Sequence, residues 1–341
     1  MKLANIILCL AYLNEVYVLG LGRVFDLFVY GLTVVLFFRH SRVTKRLLLV
    51  TVIFSVINVL SALLYGDIRL NIALFFGSAL LLFGKGPSKR FVLLLIRVHL
   101  ISFFLQLLLY YVFNIHISIG DLVPGLDTSR NLNSDLNFYR PSGLFLEPNA
   151  FVINSAFLLI LSWKYIPSRL LWTQLAAIVL SKSLFGFLFV TLMLFCIMPR
   201  WLKLISALGS LMVLGLVSNH VDSWASSDYI TLRRVNDIVE GRDASISARL
   251  TKKDNAHFVD YLLPHAVDFK NYNMLFGING ISMIIYTLGA LGWLLLLLLL
   301  FRARNSIPWA IFGATLLSYP YIAYSIFYIV LRHLLVERNS S

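Results

Sequence analysis

Arg140 is the cation whose sequence neighbours are best suited to binding an anion. It opens the segment RPSGLFLEPN, in which Glu147 and Pro148 lead into an apolar stretch. Proline suits the first turn of a helix, and a helix N-terminus attracts anions through its backbone N–H groups. The segment therefore predicts a phosphate-binding site. The residue types leave one alternative open, an interfacial anchor in which Arg140 snorkels and Glu147 caps the helix.

Cations and histidines also collect in the long polar segment 219–273. The segment is too long for a simple connection, so we expect it to carry helices of its own. Helical spacing would bring Arg249, Lys253 and Asp260 near one another, although a solvated helix with surface ion pairs has the same pattern. Among the residues of this segment that could bind an anion or move a proton are Arg242, Arg249, His257, Asp260 and His265.

The same segment contains two H-x-x-D pairs, His257 with Asp260 and His265 with Asp268. A zinc site generally needs three or four convergent ligands, and two separated pairs are a weak match. We therefore expect no metal ion and no other cofactor.

The elements that carry these residues are indicated by where the charges lie. Apolar blocks are separated by short basic clusters that contain no acid, whereas most acids lie in segments 114–148 and 219–273. Short Lys/Arg-rich loops stay on the cytoplasmic side of a membrane. We therefore expect a polytopic membrane protein, with both polar segments as large loops on the opposite side. The clusters are Arg39/Arg42/Lys45/Arg46, Lys85/Lys89/Arg90, Lys164/Arg169, Arg200/Lys203 and Arg302/Arg304.

The composition agrees with a membrane protein. Hydrophobic residues make up 59% of the chain and charged residues 13%, which is unlike a soluble domain. A net charge of +13 would suggest a nucleic-acid partner in a soluble protein. Here the excess resides in the basic clusters, so we interpret it as contact with lipid headgroups and expect no nucleic-acid partner.

The predicted fold is an all-α membrane domain over residues 1–341. A helix needs roughly 20 apolar residues to cross a membrane, and we expect about 12 crossings (10–12, some short), with both termini inside. The candidate spans are 4–20, 22–38, 47–65, 70–84, 91–113, 149–163, 204–218 and 274–300.

Two apolar stretches are interrupted near their middle. Residues 170–198 lie between two basic clusters, which places both ends on one side, and a pair of short or tilted helices turning at Lys182 satisfies this. A single continuous helix would invert the topology of everything that follows. Residues 306–331 present the same choice, with Tyr319-Pro320-Tyr321 as the possible turn.

Several short motifs, taken in order, resemble one family. They are the Arg140 segment, an SKSLFGF turn inside an apolar stretch, SISAR at 245–249, NMLFGING at 273–280 and LGALG at 288–292. Their order, spacing and sidedness resemble the O-antigen polymerase (Wzy) family, within the wider group that includes the O-antigen ligases. The resemblance covers roughly residues 90–300.

The resemblance implies a glycosyltransferase of the bacterial inner membrane. Such enzymes join oligosaccharide repeat units that are carried on undecaprenyl diphosphate, and they act at the periplasmic face without a nucleotide sugar. The growing chain leaves its lipid diphosphate and moves onto the incoming unit. The family also implies a separate chain-length regulator protein as a possible partner.

Residue roles follow from the same resemblance. Arg140 matches the first-loop arginine of the family and Arg249 the second-loop arginine. Arginine binds phosphate bidentately and stays charged, so both would stabilise the leaving diphosphate, with Lys182 and Arg242 as further contacts. The base that activates the acceptor hydroxyl would be one of a set of four, Glu147, His257, Asp260 or His265.

The ligase branch has a histidine at the start of the helix that follows the large loop, and this chain has Asn279-Gly280 there instead. That departure favours a polymerase over a ligase. A flippase for lipid-linked oligosaccharides is the main alternative of another class, although transporters usually have repeated halves and midplane polar sites. A non-enzymatic membrane scaffold would not need Arg140 and Arg249.

Overall fold

The described part of the chain is mostly helical. The computed structural model describes residues 3–13, 86–117, 138–199, 288–303, 306–316 and 325–336, together with short pieces at 17–18, 22–23, 29, 31–32, 48–49, 51–53, 55–56, 59, 63, 81, 132–133, 262, 281 and 284–285. Its helices are α1 Leu3–Tyr12, α2 Lys89–Phe113, α3 Pro148–Ser162, α4 Ser168–Leu180, α5 Leu184–Ile197, α6 Ala290–Ala303, α7 Ile307–Leu316 and α8 Ser325–Val336.

The strands of the described residues are two residues long and form two antiparallel pairs. β1 (Tyr17–Val18) pairs with β2 (Gly22–Arg23), and β3 (Leu132–Asn133) pairs with β4 (Phe138–Tyr139). The first pair corrects a prediction, since α1 ends at Tyr12 and β1 falls inside the helical span expected over 4–20. The polar pair Asn14-Glu15 interrupts this span, and the short apolar run that follows suits a strand as well as a helix.

Helix α2 buries a face that carries polar residues and exposes a face that is apolar apart from Arg97 and the basic first turn. It is 25 residues long, and within the described residues it is the helix long and apolar enough to cross a membrane. His99 and Gln106 lie on its buried face, together with aliphatic and aromatic side chains. The opposite face is exposed at Leu94, Ile101, Leu105, Leu108 and Val112. Asn114 ends the helix at φ +54°, a left-handed conformation that asparagine tolerates.

Helix α3 lies at the centre of the described helices. It packs against α2, α4, α5, α7 and α8, and every residue from Pro148 to Ser162 except Asn149 is buried. Pro148 occupies the first helical position and Glu147 the N-cap, which confirms the helix start predicted for the span 149–163. Its 15 residues extend about 22 Å.

The interruption predicted at Lys182 is confirmed. Helix α4 ends at Leu180, α5 begins at Leu184, and Lys182 adopts φ +53° between them. The two helices pack against each other. Gly186 allows their close approach, because a Cβ there would lie 3.0 Å from the Ile178 carbonyl oxygen. In the second interrupted stretch, α7 and α8 lie on either side of 319–321, which are outside the described residues.

Two of the basic clusters lie at one end of these helices. Lys89 opens α2, and its Nζ sits 5.4 Å from the centre of the Tyr165 ring, next to Lys164. Asn5 of α1 reaches the same end, where its side chain bonds to Ser88. The segment containing Arg140 contacts α2 at Ser102 and Gln106, which lie 13 and 17 residues after Lys89 and therefore about 20–25 Å along the helix from that cation.

Candidate functional site

Residues 140–147, here called the arginine loop, are held by the side chain of Gln106 on α2. The amide oxygen of Gln106 accepts hydrogen bonds from the backbone N–H groups of Ser142 (3.0 Å) and Gly143 (2.8 Å). Its Nε2 donates to the carbonyl oxygen of Gly143 at 2.7 Å. The amide is buried, as are Ser142 and Gly143, so these bonds satisfy backbone groups that have little access to water.

The conformation of the loop is tight. Gly143 has φ +61°, and a Cβ at this position would lie 3.0 Å from the Ser102 hydroxyl oxygen of α2. The hydroxyl of Ser142 donates to the Phe145 carbonyl, and the Phe145 N–H donates back to the Ser142 carbonyl. The Phe145 ring is 1% exposed and meets Tyr12 of α1 edge-on, with ring centres 5.2 Å apart. The loop is therefore anchored by both its backbone and an aromatic side chain.

Lys182 reaches the start of this loop from the turn between α4 and α5. Its Nζ donates to the Tyr139 carbonyl oxygen at 3.3 Å and to the Tyr111 hydroxyl at 2.9 Å. The same Nζ lies 5.6 Å from the centre of the Tyr111 ring, within range of a cation–π contact. Tyr139 directly precedes Arg140, so the structure brings together the neighbourhoods of two residues that the sequence predicts to bind one diphosphate.

Two helix N-termini meet at the same place. Ser183 caps α5 by accepting a hydrogen bond from the Gly186 N–H, and its hydroxyl donates to Oδ1 of Asn149 in the first turn of α3. Each helix N-terminus carries about half a positive charge. With Lys182 immediately before Ser183, these positive groups lie beside the arginine loop, which also carries the carboxylate of Glu147 at the N-cap of α3.

Aromatic side chains surround the lysine. Tyr139 is 1% exposed, stacks on Tyr110 with ring centres 4.3 Å apart and meets His116 edge-on. Burial, and to a smaller extent Tyr111 and Tyr110, raises the pKa of the Tyr139 phenol above its usual range. The phenol is therefore neutral and keeps its proton. Within the described residues the hydroxyl of Tyr139 has no hydrogen-bond partner.

A second polar group lies deeper among the helices. His99 of α2 bonds through Nδ1 to the hydroxyl of Tyr12 and through Nε2 to that of Ser155 on α3, at 2.6 Å for the latter. Gln174 of α4 donates to the Ser155 carbonyl oxygen at 3.1 Å. The ring of His99 stacks on Phe151 at 4.2 Å. Four helices are thus joined by buried polar contacts under the arginine loop.

The predicted site residues fall into two groups. Arg140, Glu147 and Lys182 are half-buried around the arginine loop. Glu147 occupies the N-cap position of α3 without a capping hydrogen bond from its side chain, which weakens the alternative interpretation of it as a cap. The predicted residues outside the described part of the chain are Arg242, Arg249, His257, Asp260 and His265. In the ranges that the structure describes, no group of three or more His, Cys, Asp or Glu side chains could hold a metal ion.

Gln106, Asn149 and Ser183 take part in this site and were not predicted from the sequence. For Gln106 a signal was present, because a glutamine inside an apolar span usually faces the helix bundle and bonds to a neighbouring segment. Ser183 lies in the SKS interruption and is a favoured N-cap type. No protein-family model, curated protein or solved structure matches the chain.

Proposed function

We propose that this protein is a glycosyltransferase of the bacterial inner membrane that polymerises oligosaccharide repeat units carried on undecaprenyl diphosphate. The product would be O-antigen or a similar polysaccharide. Residues 1–341 would form one membrane domain of about 12 crossings, with loops 114–148 and 219–273 in the periplasm and the basic clusters in the cytoplasm.

Exposed apolar side chains and buried polar ones support the membrane part of the proposal. Along α2 the exposed face is apolar apart from Arg97 and the basic residues of the first turn, with Ile101 66% and Val112 64% exposed, whereas His99 and Gln106 are buried. Helix α6 exposes Leu294 and Phe301 in the same way, at 61% and 68%. In water, apolar faces of this kind would be unstable or would drive association. Lipid solvates such faces and leaves the polar side chains to bond to one another inside the bundle.

The observation that carries the catalytic part is the convergence of positive groups beside Arg140. Lys182 bonds to the carbonyl of the preceding residue, and α3 and α5 begin side by side through the Asn149–Ser183 bond. The leaving group of the reaction is an anionic diphosphate. Fixed positive groups, placed where that charge develops, lower the barrier without rearranging during the reaction.

The reaction requires one bond to break and one to form. The bond between the anomeric carbon of the growing chain and the lipid diphosphate oxygen breaks, and the electron pair leaves with the diphosphate. The acceptor hydroxyl oxygen then forms the new glycosidic bond and loses its proton to a base. Arg140, Arg249, Lys182 and Arg242 would bind the diphosphate, and the base would come from Glu147, His257, Asp260 and His265.

Purified protein in liposomes with lipid-linked repeat unit tests the proposal. We expect saccharides of increasing length, and we expect Arg140→Ala to abolish their formation while insertion continues. Arg169→Ala is the matched control, since Arg169 is an exposed cation at the start of α4, about 20 Å along that helix from its end near Lys182.

Three other outcomes would contradict the proposal. Translocation of the lipid-linked unit without extension would identify a flippase. Transfer of finished polymer to a lipid acceptor, again without extension, would identify a ligase. Equal loss in both arginine variants would show that the effect of Arg140→Ala is not specific to the loop.

A further inference from the structure

From the contacts of the arginine loop we infer that Gln106 is a positioning residue that holds Arg140 in place for the lipid diphosphate. The inference rests on the proposed function and extends it to a residue on α2 that does not reach the substrate itself. Gln106 is 7% exposed, and its amide is occupied by Ser142 and Gly143. Its effect on the reaction must therefore pass through the loop.

Arg140 is fixed from both sides along the chain. On its N-terminal side, Lys182 bonds to the carbonyl of Tyr139. On its C-terminal side, Gln106 bonds to the backbone of Ser142 and Gly143, and proline at position 141 restricts its own φ. The backbone between the Lys182 contact and the Gln106 contacts is therefore very short, and it contains Arg140.

The chemistry of the contact requires an amide. One atom must accept from two N–H groups while another donates to a carbonyl oxygen, and only Gln and Asn offer both in a side chain that stays neutral. Asparagine is one methylene shorter and would not span the same gap. Glutamate keeps the length and the acceptor oxygens, but its carboxylate would face the Gly143 carbonyl without a proton to donate.

A fixed loop matters because the arginine acts by geometry. The planar guanidinium binds phosphate through parallel hydrogen bonds, so a shift of the loop changes their alignment as well as the distance. A displacement of about 1 Å at a catalytic group can lower the rate by about a hundredfold. Gln106→Leu, which removes all three bonds, should therefore lower chain extension by about that factor.

The matched control is Gln174→Leu. Gln174 is also a buried glutamine on a neighbouring helix, but within the described residues it makes one hydrogen bond, to Ser155, and none to the arginine loop. A general effect of removing a buried amide would appear in both variants. An effect through Arg140 would appear in Gln106→Leu alone.

The first measurement is the binding of undecaprenyl diphosphate to detergent-solubilised protein. We expect Gln106→Leu to weaken binding about tenfold or more relative to Gln174→Leu. In an Arg140→Ala background the same change should weaken binding less than threefold further, because the group that Gln106 positions is gone. A purely structural role of Gln106 would instead give equal losses in both backgrounds and would overturn the inference.

The second measurement does not depend on substrate. A nitroxide label at Leu144→Cys in a cysteine-free background reports on the mobility of the loop. We expect Gln106→Leu to increase this mobility and Gln174→Leu to leave it unchanged. If Gln106→Leu does not accumulate, Gln106→Glu replaces it, since it retains the side-chain length and the acceptor oxygen but places a carboxylate oxygen, in place of the donor, against the Gly143 carbonyl oxygen. Lipid binding and label mobility equal to wild type in the variant used would refute the positioning role.

Failure of the two proposals can be told apart. If the wild-type protein neither binds lipid diphosphate nor extends chains, the proposed function is wrong. The role of Gln106 in positioning Arg140 for the diphosphate is then wrong as well. If the wild type does both and Gln106→Leu behaves like Gln174→Leu, only the positioning role is wrong.

Discussion

Gly143→Ala should destabilise the arginine loop through two separate effects. Gly143 has φ +61°, and an L-residue in this region costs about 1–2 kcal/mol. The new Cβ would also lie 3.0 Å from the Ser102 hydroxyl oxygen, which donates to the His99 carbonyl; disturbing that bond costs about 0.5–1.5 kcal/mol. The smaller entropy of the unfolded alanine chain offsets about 0.4–1 kcal/mol. A net loss of about 1–2 kcal/mol remains.

Two further variants separate these effects. Ser102→Ala alone loses the hydrogen bond to the His99 carbonyl. In the Gly143→Ala protein it removes the close contact but not the backbone strain, so the two changes together should cost less than the sum of the two single changes. Gly313→Ala is the control for a glycine-to-alanine change. Gly313 lies in α7, and a Cβ added there would meet nothing within 4 Å, so alanine should be neutral or stabilise the helix by up to about 1 kcal/mol.

The assay combines thermal unfolding in one detergent with chain extension. Unfolding entropy is about 2.1 cal/mol/K per residue, so for 341 residues a loss of about 1–2 kcal/mol lowers the midpoint by roughly 1.5–3 °C. Extension should fall about tenfold or more, since the arginine shifts with the loop. An unchanged midpoint and normal extension in Gly143→Ala would refute the reasoning, as would losses in the double variant that equal the sum of the two single losses.

Three further predictions concern charge, sidedness and metal. Arg140→Ala and Arg249→Ala should each lower extension by about a hundred- to a thousandfold, and Arg→Lys should restore little; full activity in either alanine variant would remove that arginine from the site. Cysteines at Ser134 and Ser245 in a cysteine-free background should react with an impermeant reagent in intact spheroplasts, and reaction only after permeabilisation would contradict the loop topology. Extension should continue in EDTA; loss in chelator with recovery on adding a divalent metal would overturn the arginine mechanism.

Local chemistry made parts of the fold predictable from the sequence. Proline fits the first turn of a helix, which located the start of α3 at Pro148. The polar Ser-Lys-Ser triplet interrupts an apolar stretch whose two ends are basic, which located the turn at Lys182. In both cases the deciding residues are adjacent in the chain. Arg140 and Lys182 could be selected as candidates because cations are scarce in such surroundings.

Contacts between residues that are far apart in the chain could not be predicted from the sequence in this way. Gln106 and Gly143 are 37 residues apart, and their bonding depends on how α2 is rotated about its axis. The polar residues His99 and Gln106 indicate which face of α2 points into the bundle, but they do not indicate which distant backbone that face meets. The early end of α1 was missed for a related reason, because the apolar residues up to position 20 suit a strand as well as a helix.

The hydrogen-bond partners of His99 are synthesised at different times, so its polar contacts form in sequence during assembly. Tyr12 is synthesised 87 residues before His99. At about 5–20 residues per second, translation from Tyr12 to His99 takes roughly 4–17 s. Ser155 follows His99 by another 56 residues, which brings the delay before the Tyr12–His99–Ser155 chain is complete to roughly 7–29 s. Until residue 99 is made, α1 lacks the contact that later joins it to α2. A nascent chain stalled before residue 155 would lack the Ser155 hydroxyl that bonds Nε2 of His99 in the folded protein, so the buried imidazole would be only partly hydrogen-bonded.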